Sequence, residues 1–233
     1  MINIAIDSYS ASGKTFLGKL LLEKLGYIFV DSGYFYRYFA NISTHPSLSS
    51  ILELISTYEI KNSKNFIDNL NKVIEDADGE EYLEQRRKAS IIAQDPDIRK
   101  AITELIRDLT IEKGFVVTGC DATTNILPDT KVMIIIDMKL EKYVKRRTEQ
   151  MNLTEEETLN DLFRRDIKSF DLIKEAKRVS KEIDTTNLNI EESLEEIMKY
   201  VLWKKFHIRY RKIFKFLFII IIILVASIFK NVI

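Results

Sequence analysis

The chain has 233 residues, and its 35 Lys and Arg side chains balance 35 Asp and Glu, so its formal charge is zero. A hydrophobic content of 46% and a charged content of 30% exclude a disordered chain, and 7 Gly with 3 Pro exclude collagen-like and low-complexity classes. A single cysteine, Cys120, excludes a disulfide framework and a cysteine-based zinc site, so we expect a reducing compartment.

The positive charge is concentrated at the carboxyl-terminal end. Residues 204–233 contain seven Lys or Arg and no acid, so the first 203 residues carry 28 basic and 35 acidic side chains, a formal charge of −7. An acidic body argues against nucleic-acid binding, because counterion release from phosphates needs a basic surface. We therefore expect no nucleic-acid partner.

The first half of the chain alternates between strand and helix patterns. A buried strand over residues 1–6 leads into a small-residue loop, and a second strand covers residues 27–30. Residues 31–79 are mostly helical in pattern, and Asp95–Pro96 opens a helix that we expect to end at Gly114. The helix between the two strands ends at Gly26 and carries five apolar residues on one face: Phe16, Leu17, Leu20, Leu21 and Leu25.

Two fully apolar strands follow, over residues 115–117 and 132–136. Strands without polar alternation are covered on both faces, as in a parallel sheet flanked by helices. Residues 139–178 have charged, helical patterning, and a weak strand precedes Asp184. Asn189 and Glu192 predict a capping box at the start of a last helix. This order predicts a doubly wound α/β fold.

The strongest chemical signal is Asp-Ser-Tyr-Ser-Ala-Ser-Gly-Lys-Thr at residues 7–15. A strand, a small-residue loop and Gly-Lys-Thr opening a helix are the parts of a P-loop, whose backbone N–H groups cradle phosphates. In this pattern Lys14 bridges the terminal phosphates and the Thr15 hydroxyl meets Mg²⁺. The full pattern has Gly where this chain has Ser8, and we expect the Cβ of Ser8 to resist the backbone angles that Gly takes freely. The residues predicted to bind the phosphates of ATP are Ser10, Ala11, Ser12, Gly13, Lys14 and Thr15.

Further segments resemble the bacterial cytidylate kinase family. Residues 31–37, Asp-Ser-Gly-Tyr-Phe-Tyr-Arg, resemble the family signature Asp-Thr-Gly-x-x-Tyr-Arg, and residues 119–129 are similar to its Gly-Arg-Asp-x-Gly-Thr-x-x-x-Pro-Asp segment. The resemblance covers about residues 1–203. Other pieces fall in the family's order: Ala89-Ser90, Pro96-Asp-Ile-Arg99, Arg146-Arg147, Arg165-Asp166 and Ile183-Asp184-Thr-Thr186.

The resemblance implies a P-loop nucleoside monophosphate kinase-like α/β fold, with a helical monophosphate-binding insert at about 34–95 and a lid at about 148–178. It implies phosphoryl transfer from ATP to CMP or dCMP, giving CDP or dCDP in pyrimidine nucleotide metabolism, with ATP and Mg²⁺ bound. Such an enzyme positions two anionic nucleotides and neutralises the transferred group with Lys, Arg and Mg²⁺. We expect a cytoplasmic protein whose soluble part is a monomer.

Carried over position by position, the resemblance assigns Tyr36, Arg37 and Arg99 to the acceptor nucleotide, with the two arginines on its monophosphate. A guanidinium fork fits phosphate oxygens. Ser90 and Asp121 match residues that read cytosine, since a carboxylate accepts from the C4 amino group that uracil lacks. Asp121 as a structural or Mg²⁺-facing acid stays open as an alternative.

Two lid arginines complete the predicted catalytic set. Arg146, Arg147 and Arg165 match positions where the family's lid brings positive charge to the polyphosphate, although neighbouring arginines can exchange these roles. The predicted catalytic residues are Lys14, Arg146 and Arg165. The alternative is a solvated helix face formed by arginines 146, 147, 164 and 165. Asp137 follows a buried strand and competes for the metal-side role.

The chain also departs from the family. Cys120 stands where the family has Arg, and Thr123 where it has Gly. Loss of two phosphate-binding arginines would weaken monophosphate binding by about 10²–10⁴, unless a lysine such as Lys168, Lys174 or Lys177 compensates. Two alternatives therefore stay open: a weak or inactive nucleotide-binding paralogue with a regulatory or scaffolding role, and a kinase for another small monophosphate. The remaining departures are Ser8, Tyr9 and Ala11 in the P-loop, and Ser169 and Leu172 in the lid.

Residues 204–233 form a basic, apolar tail without a counterpart in the family. As a helix, the run of 14 apolar or small residues at 216–229 spans about 21 Å, whereas residues 213–233 reach about 30 Å, close to the hydrocarbon core of a bilayer. The basic residues before it suit the anionic cytoplasmic leaflet. We predict a membrane anchor, spanning or lying in one leaflet; a buried core helix and a poorly folding extension are the alternatives.

Overall fold

The protein was analysed as a computed structural model that describes the backbone of residues 1–9, 12–41, 46–57, 63–75, 79–151 and 154–230. Within these ranges, the side chains of residues 63–64, 73, 75, 79–83, 150–151, 161, 164–168, 212–217, 219 and 223–230 lie outside the described part.

Five parallel strands form the centre of the fold, in the order β2-β3-β1-β4-β5. The predicted parallel sheet is therefore confirmed. The first strand begins later than predicted and continues through Ser8, which pairs with Ile136. The strands are β1 (Ile4–Ser8), β2 (Ile28–Asp31), β3 (Phe115–Gly119), β4 (Val132–Asp137) and β5 (Lys181–Asp184).

Helices connect the strands and cover both faces of the sheet. Among the described residues, four helices lie between β2 and the helix that leads into β3, where the sequence predicted mostly helical structure. A short π-helical turn, Ala122–Ile126, follows β3. The α-helices are α1 (Lys14–Leu25), α2 (Ser32–Ala40), α3 (Leu48–Ile55), α4 (Ser63–Glu75), α5 (Gly79–Ile92), α6 (Pro96–Leu109), α7 (Leu140–Met151), α8 (Glu155–Val179) and α9 (Ile190–Lys230).

Apolar side chains from alternate strand positions enter two cores. On one face, Ile4 and Ile6 of β1 pack in a cluster with side chains of α1 and α9. On the other face, Ala5 belongs to a cluster formed mainly with α2 and α6. Burial on both faces explains why these strands are apolar throughout, and it leaves polar groups to the strand ends.

Helix α1 lies unusually close to the sheet at Gly18. A Cβ on this residue would come within 2.5 Å of a ring carbon of Phe29. Leu17 and Leu21, one turn apart, are buried on this face. The prediction was wrong for Phe16, which is 54% exposed, because its neighbour Leu17 occupies the inward direction.

Two helix boundaries test the capping predictions. At the start of α9 the capping box is confirmed: the Asn189 N–H donates to Glu192 Oε2 at 2.8 Å, and the Glu192 N–H donates to Asn189 Oδ1 at 2.9 Å. Helix α6 ends earlier than predicted, at Leu109 instead of Gly114. Thr110 follows it, and its hydroxyl donates to the carbonyl of Ile106 at 2.7 Å.

The last helix joins the two parts of the chain that differ in composition. It runs without a break from Ile190 to Lys230, and its first turns bury Ile197 and Val201 in the body. Most of the predicted apolar run at 216–229 consists of side chains outside the described residues. Phe218, which is described, is 64% exposed, so at this position the buried-helix alternative is wrong.

In the part of the chain that the structure describes, no helix is both long enough and apolar enough to cross a membrane.

Candidate functional site

Two of the predicted site segments, the P-loop and the loop that carries Asp121, follow strands that end at the same edge of the sheet. β1 and β3 are adjacent and parallel, and Asp7 of β1 pairs with Gly119 at the end of β3. The P-loop follows β1 and Asp121 follows β3, so both lie outside the carboxyl ends of neighbouring strands. Ligands of open α/β sheets bind at this edge.

The P-loop ends at a helix N-terminus, as predicted. Gly13 precedes α1 with φ at +85°, a conformation that favours glycine, and α1 begins at Lys14. The backbone N–H groups in the first turn of a helix suit phosphate oxygens, which is the role that the sequence predicts for this loop. Of the predicted phosphate-binding residues, Ser10 and Ala11 lie outside the described residues.

Side-chain hydrogen bonds connect the described residues of the P-loop with one another. The Ser12 hydroxyl donates to Ser8 Oγ at 2.5 Å, and the Ser8 hydroxyl donates to the Tyr9 carbonyl at 2.9 Å. Lys14 Nζ donates to the same carbonyl at 3.4 Å. The expected resistance of Ser8 to its backbone conformation is wrong, because Ser8 is an extended strand residue.

A hydroxyl and a carboxylate meet beside the P-loop. The Thr15 hydroxyl donates to Asp31 Oδ2 at 2.7 Å, and the other oxygen of Asp31 accepts from the Gly33 N–H at 2.9 Å, which caps α2. Oxygen donors of this kind fit Mg²⁺. Asp31 was not among the residues predicted for the metal side, although its place at the end of a strand indicates such a role.

Asp137, the predicted competitor for the metal-side role, has another partner. It forms an ion pair with Lys177, whose ammonium also lies 3.8 Å from Glu182. Burial lowers the pKa of Lys177, but the hydrogen bond to Asp137 and the negative charges of Asp137 and Glu182 together raise it by more, so the pKa lies above its ordinary value. The contacts of Asp137 are those of a structural ion pair, and they engage Lys177, one of the lysines expected to compensate for missing arginines.

Three of the predicted acceptor residues come together beside the loop after β3. Arg99 Nη1 donates to Asp121 Oδ2 at 2.8 Å, while Nε and Nη2 donate to the carbonyl of Ala93 at 3.2 and 2.9 Å. The guanidinium carbon lies 5.7 Å from the centre of the Tyr36 ring. Burial raises the pKa of Tyr36 above its ordinary value, so the phenol stays neutral. Burial lowers the pKa of Arg99, but Tyr36 and Asp121 raise it by more.

The other predicted residues make contacts elsewhere. The Arg37 guanidinium lies 4.5 Å from the centre of the Tyr34 ring, and the Ser90 hydroxyl donates to the carbonyl of Arg87 at 2.9 Å. Arg146 Nη2 donates to the carbonyl of Leu188, after β5, at 3.2 Å. The side chain of Arg165 lies outside the described residues. The roles assigned to these four residues by family resemblance therefore stay predictions.

Burial affects two further residues near the site, Arg147 and Cys120. Arg147 is buried, with 6% exposure, so the solvated-face alternative is wrong for this arginine. Burial raises the pKa of the Cys120 thiol, although Lys14 opposes the shift. A thiol kept protonated is a poor nucleophile.

A fully buried carboxylate joins the two loops. Asp7 Oδ1 accepts from the Ala122 N–H at 2.7 Å, and Oδ2 accepts from the N–H and the hydroxyl of Thr123 at 2.9 and 2.6 Å. Burial raises the pKa of Asp7 from 3.8 to about 6, against the lowering effect of these hydrogen bonds. No role was predicted for Asp7 from the sequence, and Thr123 was recognised only as a departure from the family.

Comparison with known proteins gives the same family over nearly the whole chain. A sequence model described as cytidylate kinase matches residues 4–202. The cytidylate kinase of Cytophaga hutchinsonii is 28% identical over 232 aligned residues, with 90% of this chain and 97% of that protein covered. The cytidylate kinase of Fervidobacterium nodosum is 32% identical over 215 residues, with 85% and 95% covered.

A solved structure shares the fold at low identity. It is an uncharacterized protein from Eubacterium ventriosum, with a TM-score of 0.51 and 16% identity, and the match covers 86% of this chain and 97% of that one. At this identity the likeness concerns the fold alone.

Proposed function

The chain belongs to the cytidylate kinase family, and from this premise we propose that it transfers the γ-phosphoryl group of ATP to CMP or dCMP, giving CDP or dCDP. The observation that carries the proposal is the buried Asp121 carboxylate, paired with Arg99 one strand away from the P-loop. A carboxylate at this place accepts from the C4 amino group of cytosine, which uracil lacks, while the P-loop holds the donor phosphates.

The residues of the P-loop act on the donor. The first turn of α1 directs backbone N–H groups at the phosphates of ATP, and Lys14 moves its ammonium from the Tyr9 carbonyl to the terminal phosphates. The Thr15 hydroxyl and the Asp31 carboxylate would hold Mg²⁺, which would supply positive charge to the transferred group.

Arg99 acts on the acceptor. Three of its five N–H groups are engaged by Ala93 and Asp121 in the described structure, which leaves two for the nucleotide. We assign Arg37 to the acceptor phosphate and Ser90 to the base by family resemblance. The acceptor phosphate oxygen is already an anion, so the reaction needs positioning and charge neutralisation but no covalent nucleophile.

Two further parts of the chain complete this proposal. Residues at about 34–95 form the monophosphate-binding insert, and residues at about 148–178 form a lid that brings Arg165 to the polyphosphate. Arg146, which the structure places against the loop after β5, belongs to the same basic group.

An acceptor panel tests the reaction. Full-length protein in mild detergent is supplied with ATP, Mg²⁺ and equal concentrations of CMP, dCMP, UMP or AMP, and nucleoside diphosphate is measured. We expect turnover with CMP and dCMP, lost in Asp121→Asn and retained in the exposed control Asp129→Asn. Binding of ATP without turnover of any acceptor would identify an inactive paralogue, and preference for AMP or UMP would identify another acceptor.

We also propose that residues 204–233 attach the protein to the cytoplasmic face of a membrane, with a monomeric catalytic body in the cytoplasm. The seven cations of this segment and the absence of acids support this. Trp203 and Phe206 are each 52% exposed, and the Lys204 ammonium lies 5.6 Å from the centre of the Trp203 ring. Aromatic and basic side chains of this kind are enriched at the interface of anionic membranes.

Vesicle sedimentation tests this attachment. The full-length protein should sediment with vesicles that contain phosphatidylserine, and less with vesicles of phosphatidylcholine alone. Replacement of Lys204, Lys205, Arg209 and Arg211 by Gln should reduce the difference. A protein that stays in solution as a monomer without detergent, and does not sediment with either vesicle, would contradict the proposal.

A further inference from the structure

The π-helical turn after β3 is capped from another strand. The first residues of a helical turn have backbone N–H groups without a partner inside the turn, and the side chain of the preceding residue usually accepts from them. Asp121 holds that preceding position, yet its side chain makes no such bond. Asp7, 115 positions away from Ala122, accepts from the two N–H groups instead.

This replacement decides where the Asp121 carboxylate is directed. An aspartate that capped its own turn would have its oxygens folded back on the backbone. Because Asp7 satisfies the N–H groups of Ala122 and Thr123, the Asp121 side chain is directed to Arg99 at 2.8 Å. Asp7 is completely buried and Asp121 is 3% exposed, so both carboxylates depend on partners inside the protein.

The Thr123 hydroxyl adds a third bond to this cap. It donates to Asp7 Oδ2 at 2.6 Å, on the same oxygen that accepts from the Thr123 N–H. Two bonds from one residue to one oxygen fix both the backbone and the side chain of Thr123 relative to β1. By the resemblance, the family has Gly at the position of Thr123. Because Gly has no hydroxyl, a chain with Gly at this position lacks this hydrogen bond.

We propose that Asp7 and Thr123 are positioning residues that aim Asp121 at the acceptor base, and that the Thr123 hydroxyl thereby contributes to the preference for cytosine. This inference rests on the proposed function, because it concerns the acceptor side of the same site. Neither residue touches the reacting atoms; both act through Asp121.

Two neighbouring threonines allow a matched test. Thr123→Val removes the hydroxyl that bonds to Asp7 with little change of volume. Thr124→Val removes the adjacent hydroxyl, which is buried and makes no hydrogen bond among the described residues. Thr123→Ser keeps a hydroxyl in place, and Thr123→Ala provides a second variant without one if the valine variant does not fold.

The readouts are KM and kcat with CMP and with UMP, KM for ATP, and the melting temperature, all on the full-length protein. A charge-assisted hydrogen bond corresponds to about one order of magnitude in binding, so Thr123→Val and Thr123→Ala should each raise KM for CMP about 10-fold. They should lower the CMP-over-UMP ratio of kcat/KM by a similar factor and leave KM for ATP unchanged. Thr123→Ser and Thr124→Val should behave like the wild type.

Other results overturn the inference. If the Thr123 variants have a lower melting temperature but an unchanged CMP-over-UMP ratio of kcat/KM, the bond to Asp7 serves stability only. If Thr124→Val lowers that ratio as much as Thr123→Val does, the effect does not depend on the contact to Asp7. If the wild type turns over no CMP, the proposed function fails. The inference is then judged by calorimetric binding of CMP and UMP to the same variants, where unchanged affinities would overturn it.

Discussion

The two sides of the candidate site are held by contacts of very different range. On the phosphate side, the bonds of Ser12 and Lys14 join residues four and five positions apart, and Thr15 reaches Asp31 over 16 positions. On the acceptor side, Arg99 reaches Asp121 over 22 positions, and Asp7 reaches Thr123 over 116. The phosphate side is therefore built mainly by one local motif, whereas the acceptor side exists only when distant segments pack together.

Removal of the P-loop ammonium should give the largest effect and concern the phosphate side alone. Lys14→Ala takes away a charge aimed at the transferred group, so kcat should fall by about 10²–10³ with little change in the free energy of unfolding. Steady-state kinetics measures this, and Lys24→Ala, at an exposed position of the same helix, is the control. Activity that survives Lys14→Ala unchanged would show that the P-loop assignment is wrong.

The buried carboxylate that links the two sides should respond to pH. The pKa of Asp7 in the fold, about 6, lies above its ordinary value of 3.8, so the folded state holds the proton more tightly than the unfolded state. The stabilisation associated with the proton is complete below about pH 4 and is lost as the pH rises through 6.

Asp7→Asn removes this titration. The free energy of unfolding of the wild type, relative to the variant, should therefore fall by about 2 kcal/mol between pH 4 and pH 7. Urea unfolding at a series of pH values measures the difference, with Asp129→Asn as an exposed control. A difference between wild type and Asp7→Asn that does not change with pH would contradict the prediction.

Replacement of Arg99 should lower both the stability of the fold and the activity with CMP. Arg99→Met removes the partner of the buried Asp121 carboxylate, so the free energy of unfolding should fall by about 2 kcal/mol. The same change removes contacts to the acceptor, so kcat/KM for CMP should fall about 10- to 100-fold while KM for ATP stays near the wild-type value. Lys100→Met, exposed on the same helix, is the control. An equal loss in KM for ATP would mean that the two sides are not separable.

The regular elements followed from short-range patterns in the sequence. The apolar strands at 115–117 and 132–136 and the Asn189–Glu192 capping box were confirmed, because period and capping depend on residues a few positions apart. Phe16 was wrongly predicted to be buried, because the sequence pattern included too many residues in the apolar face of α1. The close approach of Gly18 to Phe29 and Thr118 shows which side of the helix lies against the sheet.

The candidate site divides in the same way. The P-loop was identified from residues 7–15 alone, whereas the bonds of Asp7 to Thr123, of Thr15 to Asp31 and of Asp137 to Lys177 appeared only in the structure. A carboxylate in a sequence has no indicated partner, because its partner depends on which strands lie side by side.

The sequence by itself determined the family, the parallel α/β class and the place of the P-loop, since each depends on local order or on the succession of motifs along the chain. Only the tertiary structure decided that Asp7 caps the turn after β3 and that Asp121 is directed to Arg99. The reason is physical: β1 and β3 are neighbours in the sheet but more than 100 positions apart in the chain, and the hydrogen bonds between their ends form only after the sheet has assembled.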